Sequence, residues 1–281
     1  MKWTPGSVSE DVEDRRGGGG GFRGGPVSIG VVLVLLVLSL LTGKNFLSLV
    51  DSGAMPAGDA SGDQAGAPVQ SSPEEEKQVQ FVSFVLDDAQ RTWQQLLPGY
   101  RKAKLVLFRD ATQTACGMGE TASGPFYCPG DEKVYLDLGF FDELRTRFGA
   151  SGDFAEAYVI THEIGHHVQR LRGIEGQVRQ LQESRPSQAN ALSVRLELQA
   201  DCYAGVWGHS TAQRNILEQG DVESALNAAA SIGDDRIQRM SGRAAHPESF
   251  THGSSQERVM WFKRGLDNGD LNACDTFGGG T

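Results

Sequence analysis

His162, Glu163, Ile164, Gly165 and His166 spell H-E-x-x-H. On a helix, residues i and i+4 share a face, so both imidazoles can reach one metal ion. Glu163, beside the first ligand, can point into the open coordination position and take a proton from water held there. That chemistry belongs to a zinc-dependent hydrolase.

A third ligand is required. A metzincin carries a histidine six residues after the second motif histidine and a glycine three after it. Those positions hold Arg172 and Gln169, which excludes that class. A glutamate from a later helix is the other solution. Glu175 and Glu183 are candidates close to the connection that follows the motif. Glu197, in Arg195-Leu-Glu-Leu-Gln-Ala-Asp201, is the better one, because it sits among apolar neighbours on a long helical stretch. Asp201 follows at i+4 on the same face and can fix the tautomer of a ligand imidazole.

All six histidines lie between 162 and 252. His252, in a late segment, can return to the cleft and donate to the oxyanion that forms on the scissile carbonyl. It can equally be a loop histidine capping the helix that starts near Ser254. Arg258 reads as a surface charge, or as an oxyanion or substrate contact. His167 faces about 100° away from the ligand pair and reads as structural. His209 and His246 receive no role.

Apolar periodicity sets the elements that must position these residues. Helical spacing runs over Val79–Leu97, Asp153–Leu171, Gln188–His209, Val222–Ile232 and Ser255–Gly265, with a short helix over Phe140–Phe148. Lys104–Phe108 and Lys133–Leu138 read as strands. The spacing therefore predicts a helix-rich α+β domain with a small sheet. Tyr135–Leu138 is either a sheet edge for an extended peptide or an ordinary core strand.

This domain is expected to fill 78–281, behind three other segments. Residues 1–26 are polar and Gly-rich and read as a flexible tail. Residues 27–50 contain a nearly unbroken apolar run, Val27–Leu41, and read as an uncleaved membrane anchor rather than a signal peptide. Residues 51–77, rich in Gly, Ala, Ser, Pro and acid, read as a linker. Arg15, Arg16 and Arg23 precede the apolar run and Lys44 alone follows closely. That bias predicts a cytoplasmic N-terminus and a periplasmic or extracellular domain in a bacterial membrane.

The chain has 26 basic and 36 acidic residues, a net charge of −10, which argues against a nucleic-acid partner. Four cysteines suit an oxidising compartment. Cys116 and Cys128 flank a Gly-rich loop, which leaves Cys202 with Cys274, one of three possible pairings. The sequence sets no oligomeric state.

The segments HEIGHHVQ, RLELQADCYAGVW, GPFYC and YLDL, with the Gly-rich tail and apolar run, resemble a bacterial family of membrane-anchored neutral zinc metallopeptidases. The resemblance covers nearly the whole chain. It implies a zincin-like domain, one zinc ion on His162, His166 and Glu197, Glu163 as the catalytic carboxylate, and a peptide or protein substrate. The E-x-x-x-D spacing also resembles that of gluzincins. Phe250–Arg258 is similar to their T-H-P-x-x-x-x-R segment, with Gly253 in place of the proline. The rival reading is a catalytically idle zincin fold that binds a partner or scaffolds an envelope complex, against which the intact Glu163 weighs.

Overall fold

The computed structural model describes residues 1–17, 71–121 and 124–278. Its chain begins with strand β1 (Val12–Asp14), followed by helix α1 (Pro73–Leu96), strands β2 (Lys104–Phe108), β3 (Ala111–Thr114), β4 (Gly117–Glu120), β5 (Phe126–Cys128) and β6 (Lys133–Asp137), and helix α2 (Gly139–Thr146). Helices α3 (Asp153–Leu171), α4 (Ile174–Ser184), α5 (Ala189–Gln213), α6 (Asp221–Ser231), α7 (Asp234–Met240) and α8 (Ser255–Asn268) complete it. The result is the helix-rich α+β architecture expected, with a four-stranded sheet and a separate β3–β4 hairpin.

The sheet order is β1-β2-β6-β5, with β1, β2 and β6 parallel and β5 antiparallel to β6. Alternation in β2 explains why this strand lies inside. Leu105 and Leu107 face the main core with Val82, Leu86, Trp93, Tyr158 and Trp207. Val106 and Phe108 face a smaller apolar cluster with Tyr135 and Cys128. Tyr135 and Leu136 therefore belong to an interior strand, not to a sheet edge. Among the described residues the edge on that side is β5, which the hydropathy pattern did not reveal.

Two expected boundaries move. Residues 1–17 are not a free tail: β1 pairs with β2 in register Val12↔Leu105, Glu13↔Val106 and Asp14↔Leu107. The first residues also pack, with Met1 buried and its ammonium 3.0 Å from Asp221 Oδ1. Ion pairs offset the polarity that argued for a tail: Asp11 binds Lys102 and Lys104, and Glu13 binds Lys133. The expected linker likewise ends earlier than 77. Ser72 caps α1 by accepting from the Glu75 N–H at 3.2 Å, Pro73 occupies the first turn, and Glu74, Glu75 and Glu76 sit at its positive end. None of the helices among the described residues is long and apolar enough to cross a membrane. The expected anchor over 27–50 and linker residues 51–70 lie outside the described residues.

Small residues set how closely the site helices approach. A Cβ on Gly165 would lie 2.9 Å from the Ala200 carbonyl oxygen and 3.1 Å from the Ala200 Cα, so α3 and α5 touch backbone to backbone there. Gly205 and Gly265 do the same for α5 and α8: added Cβ atoms would lie 2.1 Å from Phe262 O and 2.0 Å from Cys202 O. Disulfides join Cys116 to Cys128 and Cys202 to Cys274, the pairing favoured from the sequence.

Candidate active site

Helix α3 carries His162, Glu163 and His166 across its contact with α5, which carries Glu197 and Asp201. Oε2 of Glu197 lies 3.2 Å from His162 Nε2, and its Oε1 lies 3.5 Å from His166 Nε2. One ligand atom from each of the three residues falls within 4.8 Å of the others. Bonds of about 2.0–2.1 Å in a tetrahedron separate ligand atoms by about 3.3–3.4 Å, so this spacing fits a zinc ion. Glu175 is occupied by Arg170 and Arg179 instead, and Glu183 is exposed on α4.

Both ligand tautomers follow from the partners of Nδ1. Asp201, fully buried, lies 2.8 Å from His162 Nδ1, and an ionised carboxylate only accepts, so Nδ1 donates; Nε2 donates to Glu197 at 3.2 Å in the metal-free protein and is the ring atom that would turn a lone pair to a metal once that proton leaves. Asp201 also accepts from Tyr158 Oη at 2.5 Å and from Arg258 Nε and Nη2, each at 2.9 Å. Burial opposes the Asp201 charge, but Arg258 and His162 outweigh it and hold its pKa below the usual value. Arg258 is thus not a surface charge. It is 2% exposed, and its guanidinium neutralises the carboxylate that orients His162. The resemblance of Phe250–Arg258 to the gluzincin segment singles this arginine out, but its burial comes only from the close α5–α8 crossing.

Gln169 does for His166 what Asp201 does for His162. Its amide Nε2 donates to the Leu196 carbonyl at 2.7 Å, which forces Oε1 toward His166 Nδ1 at 2.9 Å. Nδ1 must then donate, leaving Nε2 free toward Glu197. The sequence reading used Gln169 only to reject a metzincin. A polar residue three positions after a ligand histidine, on the same helix, was the available signal.

Electrostatics suit a site built to hold a cation. Burial opposes charge on His162, yet Asp201 and Glu197 push its pKa up to about 10 in the metal-free protein. Burial likewise opposes the Glu197 charge, while His166 and His162 hold that carboxyl well below its ordinary range. Burial raises the pKa of Glu163, which is the direction a general base needs to work nearer neutrality.

His162, Glu163, His166, Glu197, His252 and Arg258 line one cavity of about 590 Å³. Gly124–Tyr127, leading into and along the free β5 edge, form one wall, and Phe140, Phe148, Val159, Ile232 and Ile237 supply apolar surface. His252 is half-exposed. Its Nδ1 lies 3.3 Å from Asp234 Oδ1, while Asp234 Oδ2 accepts from the N–H groups of Thr251, His252 and Gly253 at 2.7, 2.7 and 3.1 Å. That clamp fixes the loop and raises the His252 pKa through the Asp234 hydrogen bond. Helix α8 is capped by Ser254, not by His252.

The remaining histidines lie outside this set. His167 is buried between Tyr127 Oη (3.0 Å) and the Arg101 carbonyl (2.7 Å), the structural role expected. His209 faces the Leu266 carbonyl, and exposed His246 faces Glu248. A larger cleft of about 840 Å³ holds no histidine and shares only Thr121 and Glu143 with the site cavity.

The chain is 48% identical over 288 residues to the uncharacterized protein YpfJ of Escherichia coli (strain K12), covering 99% of each. It is 46% identical over 196 residues to the uncharacterized protein Rv2575 of Mycobacterium tuberculosis (strain H37Rv) and to Mb2605 of Mycobacterium bovis, covering 66% of each chain. No solved structure matches. The family described as "Putative neutral zinc metallopeptidase" matches residues 1–277, and with that extent of agreement the chain belongs to this family.

Proposed function

We propose that this protein is a zinc-dependent metallopeptidase of gluzincin type, with a zincin-like catalytic domain. The observation that carries the reading is the gathering of His162, His166 and Glu197 at ligand spacing, in the cavity that also presents Glu163. His162, His166 and Glu197 would hold one zinc ion. Zinc, when bound, supplies a Lewis acid that polarises the scissile carbonyl and makes water a better nucleophile.

The chain's own groups do the rest. A peptide segment lies along the free edge of β5, its backbone pairing with that strand. Glu163 accepts a proton from the attacking water as the oxygen bonds to the carbonyl carbon. It then delivers that proton to the amine nitrogen as the C–N bond breaks. His252, held by Asp234, donates to the oxyanion that develops on the former carbonyl oxygen. Asp201 and Gln169 keep both ligand rings aimed through the cycle.

We place the active site outside the cytoplasm, because two disulfides suit an oxidising compartment, and attach the protein to the bacterial membrane through residues 27–50. The test uses full-length protein in detergent, assayed for zinc content and for cleavage of a peptide library, beside Glu163→Gln. Retained zinc with lost cleavage in the variant is the expected result. Cleavage that survives in Glu163→Gln, or no cleavage by zinc-loaded wild type, overturns the reading. The second outcome would favour the idle scaffold.

A further inference from the structure

The first seventeen residues are built into the domain at many points. Leu105 N–H donates to the Asp11 carbonyl and Arg15 N–H to the Leu107 carbonyl, both at 2.8 Å, bracketing the β1–β2 pairing. Trp3 Nε1 donates to Asp153 Oδ2 at 2.8 Å, at the start of α3, and its ring lies 5.2 Å from that of Phe81. The Met1 ammonium reaches Asp221 at the start of α6. The two sides of the 18–70 stretch also meet: the Arg16 side chain, 2% exposed, binds Glu75 at 3.0 Å and Glu76 at 3.1 Å. Arg16 and the start of α1 thus lie side by side in the domain.

The apolar run Val27–Leu41 lies between those points. Paired strands sit about 4.8 Å apart, whereas a bilayer's hydrocarbon core is about 30 Å thick. One crossing between residues 17 and 71 would put β1 and β2 on opposite faces, where they cannot share hydrogen bonds. Two crossings need about 40 apolar residues as helices, and the candidate stretch runs only from 27 to 50.

We propose that residues 1–17 and residues 71–278 lie on the same side of the membrane, with β1 a permanent part of the catalytic domain. The split orientation expected from the arginine bias is incompatible with the sheet.

Cysteine accessibility in the full chain, expressed in bacteria, tests this. Val8→Cys and Met260→Cys introduce thiols at positions 45% and 54% exposed, on the two sides of the 18–70 stretch. All four native cysteines are disulfide-bonded, and the parent chain measures their background. Each variant is treated with a membrane-impermeant maleimide in intact spheroplasts and again after lysis, and the full-length band is scored. Matching behaviour is expected, with both positions labelled before lysis or both only after it. One position labelled in intact spheroplasts and the other protected, by fivefold or more, overturns the proposal. Both positions are exposed, and labelling of both after lysis verifies that each variant is present and reactive.

Discussion

Gly165, inside the H-E-x-x-H motif, should be required for metal binding more than for folding. Its absent side chain lets α3 rest against Ala200 of α5, where an added Cβ would sit 2.9 Å from the carbonyl oxygen. Relaxing that contact toward the ordinary range of about 3.5 Å or more pushes the helices apart by about half an ångström. The ligands lie on opposite sides of this seam, His162 and His166 on α3 and Glu197 on α5. Their present separations of 3.2 and 3.5 Å would widen beyond a zinc tetrahedron, whose bonds tolerate only about ±0.2 Å. Folding feels the change less. Overpacking costs about 1–3 kcal/mol, while replacing a mid-helix glycine by alanine returns about 1 kcal/mol. Gly165→Ala should therefore lower metal-free stability by roughly 0–2 kcal/mol and weaken zinc by tenfold or more. Urea unfolding of chelated protein gives the first quantity, and competition with a chromophoric chelator gives the second. Zinc affinity within threefold of wild type, in a variant that folds, would refute the argument that helix spacing sets the site.

Three further outcomes are expected. Gln169→Met removes the acceptor that holds the His166 tautomer, and zinc affinity measured by the same competition should fall about 10–100-fold with the helical circular-dichroism signal unchanged; unchanged affinity would reduce Gln169 to a packing residue. His252→Ala should keep zinc and fold but lose on the order of 10²-fold in kcat, with KM little altered; zinc loss, or an unchanged kcat, would remove it from oxyanion stabilisation. Glu156, on α3, has its pKa raised from 4.5 to about 7 by burial and by Asp153. A carboxylate whose folded pKa is raised costs stability as pH climbs from about 4.5 to 7, by at most about 3 kcal/mol. Glu156→Gln should therefore unfold at higher urea than wild type at pH 8 and show a smaller difference at pH 5. Parallel curves at the two pH values would dismiss the burial argument.

The candidate site's kernel was legible because its spacing is local. His162, Glu163 and His166 lie on one helical turn, so spacing alone gave them a shared face. Glu197 and Asp201 repeat that logic on a second long helix, and the loop around Cys116 and Cys128 suggested the disulfide pairing. Residues whose roles depend on a crossing between distant elements were not legible. The segment around Arg258 stands out by resemblance, but its burial against Asp201 appears only once Gly205 and Gly265 let α8 approach α5. Tyr135 and Leu136 alternate as an edge strand would, and only the placement of β5 beyond them makes their strand interior. The first seventeen residues were the largest surprise. Their polarity argued for a tail, because local composition cannot show that Lys102, Lys104 and Lys133, far along the chain, pair with Asp11 and Glu13. Periodicity and motif spacing act over one or two turns and are written in the chain. Burial of a charge, the order of strands and the side of a sheet left open depend on partners tens to hundreds of residues away, and those only the folded molecule brings together.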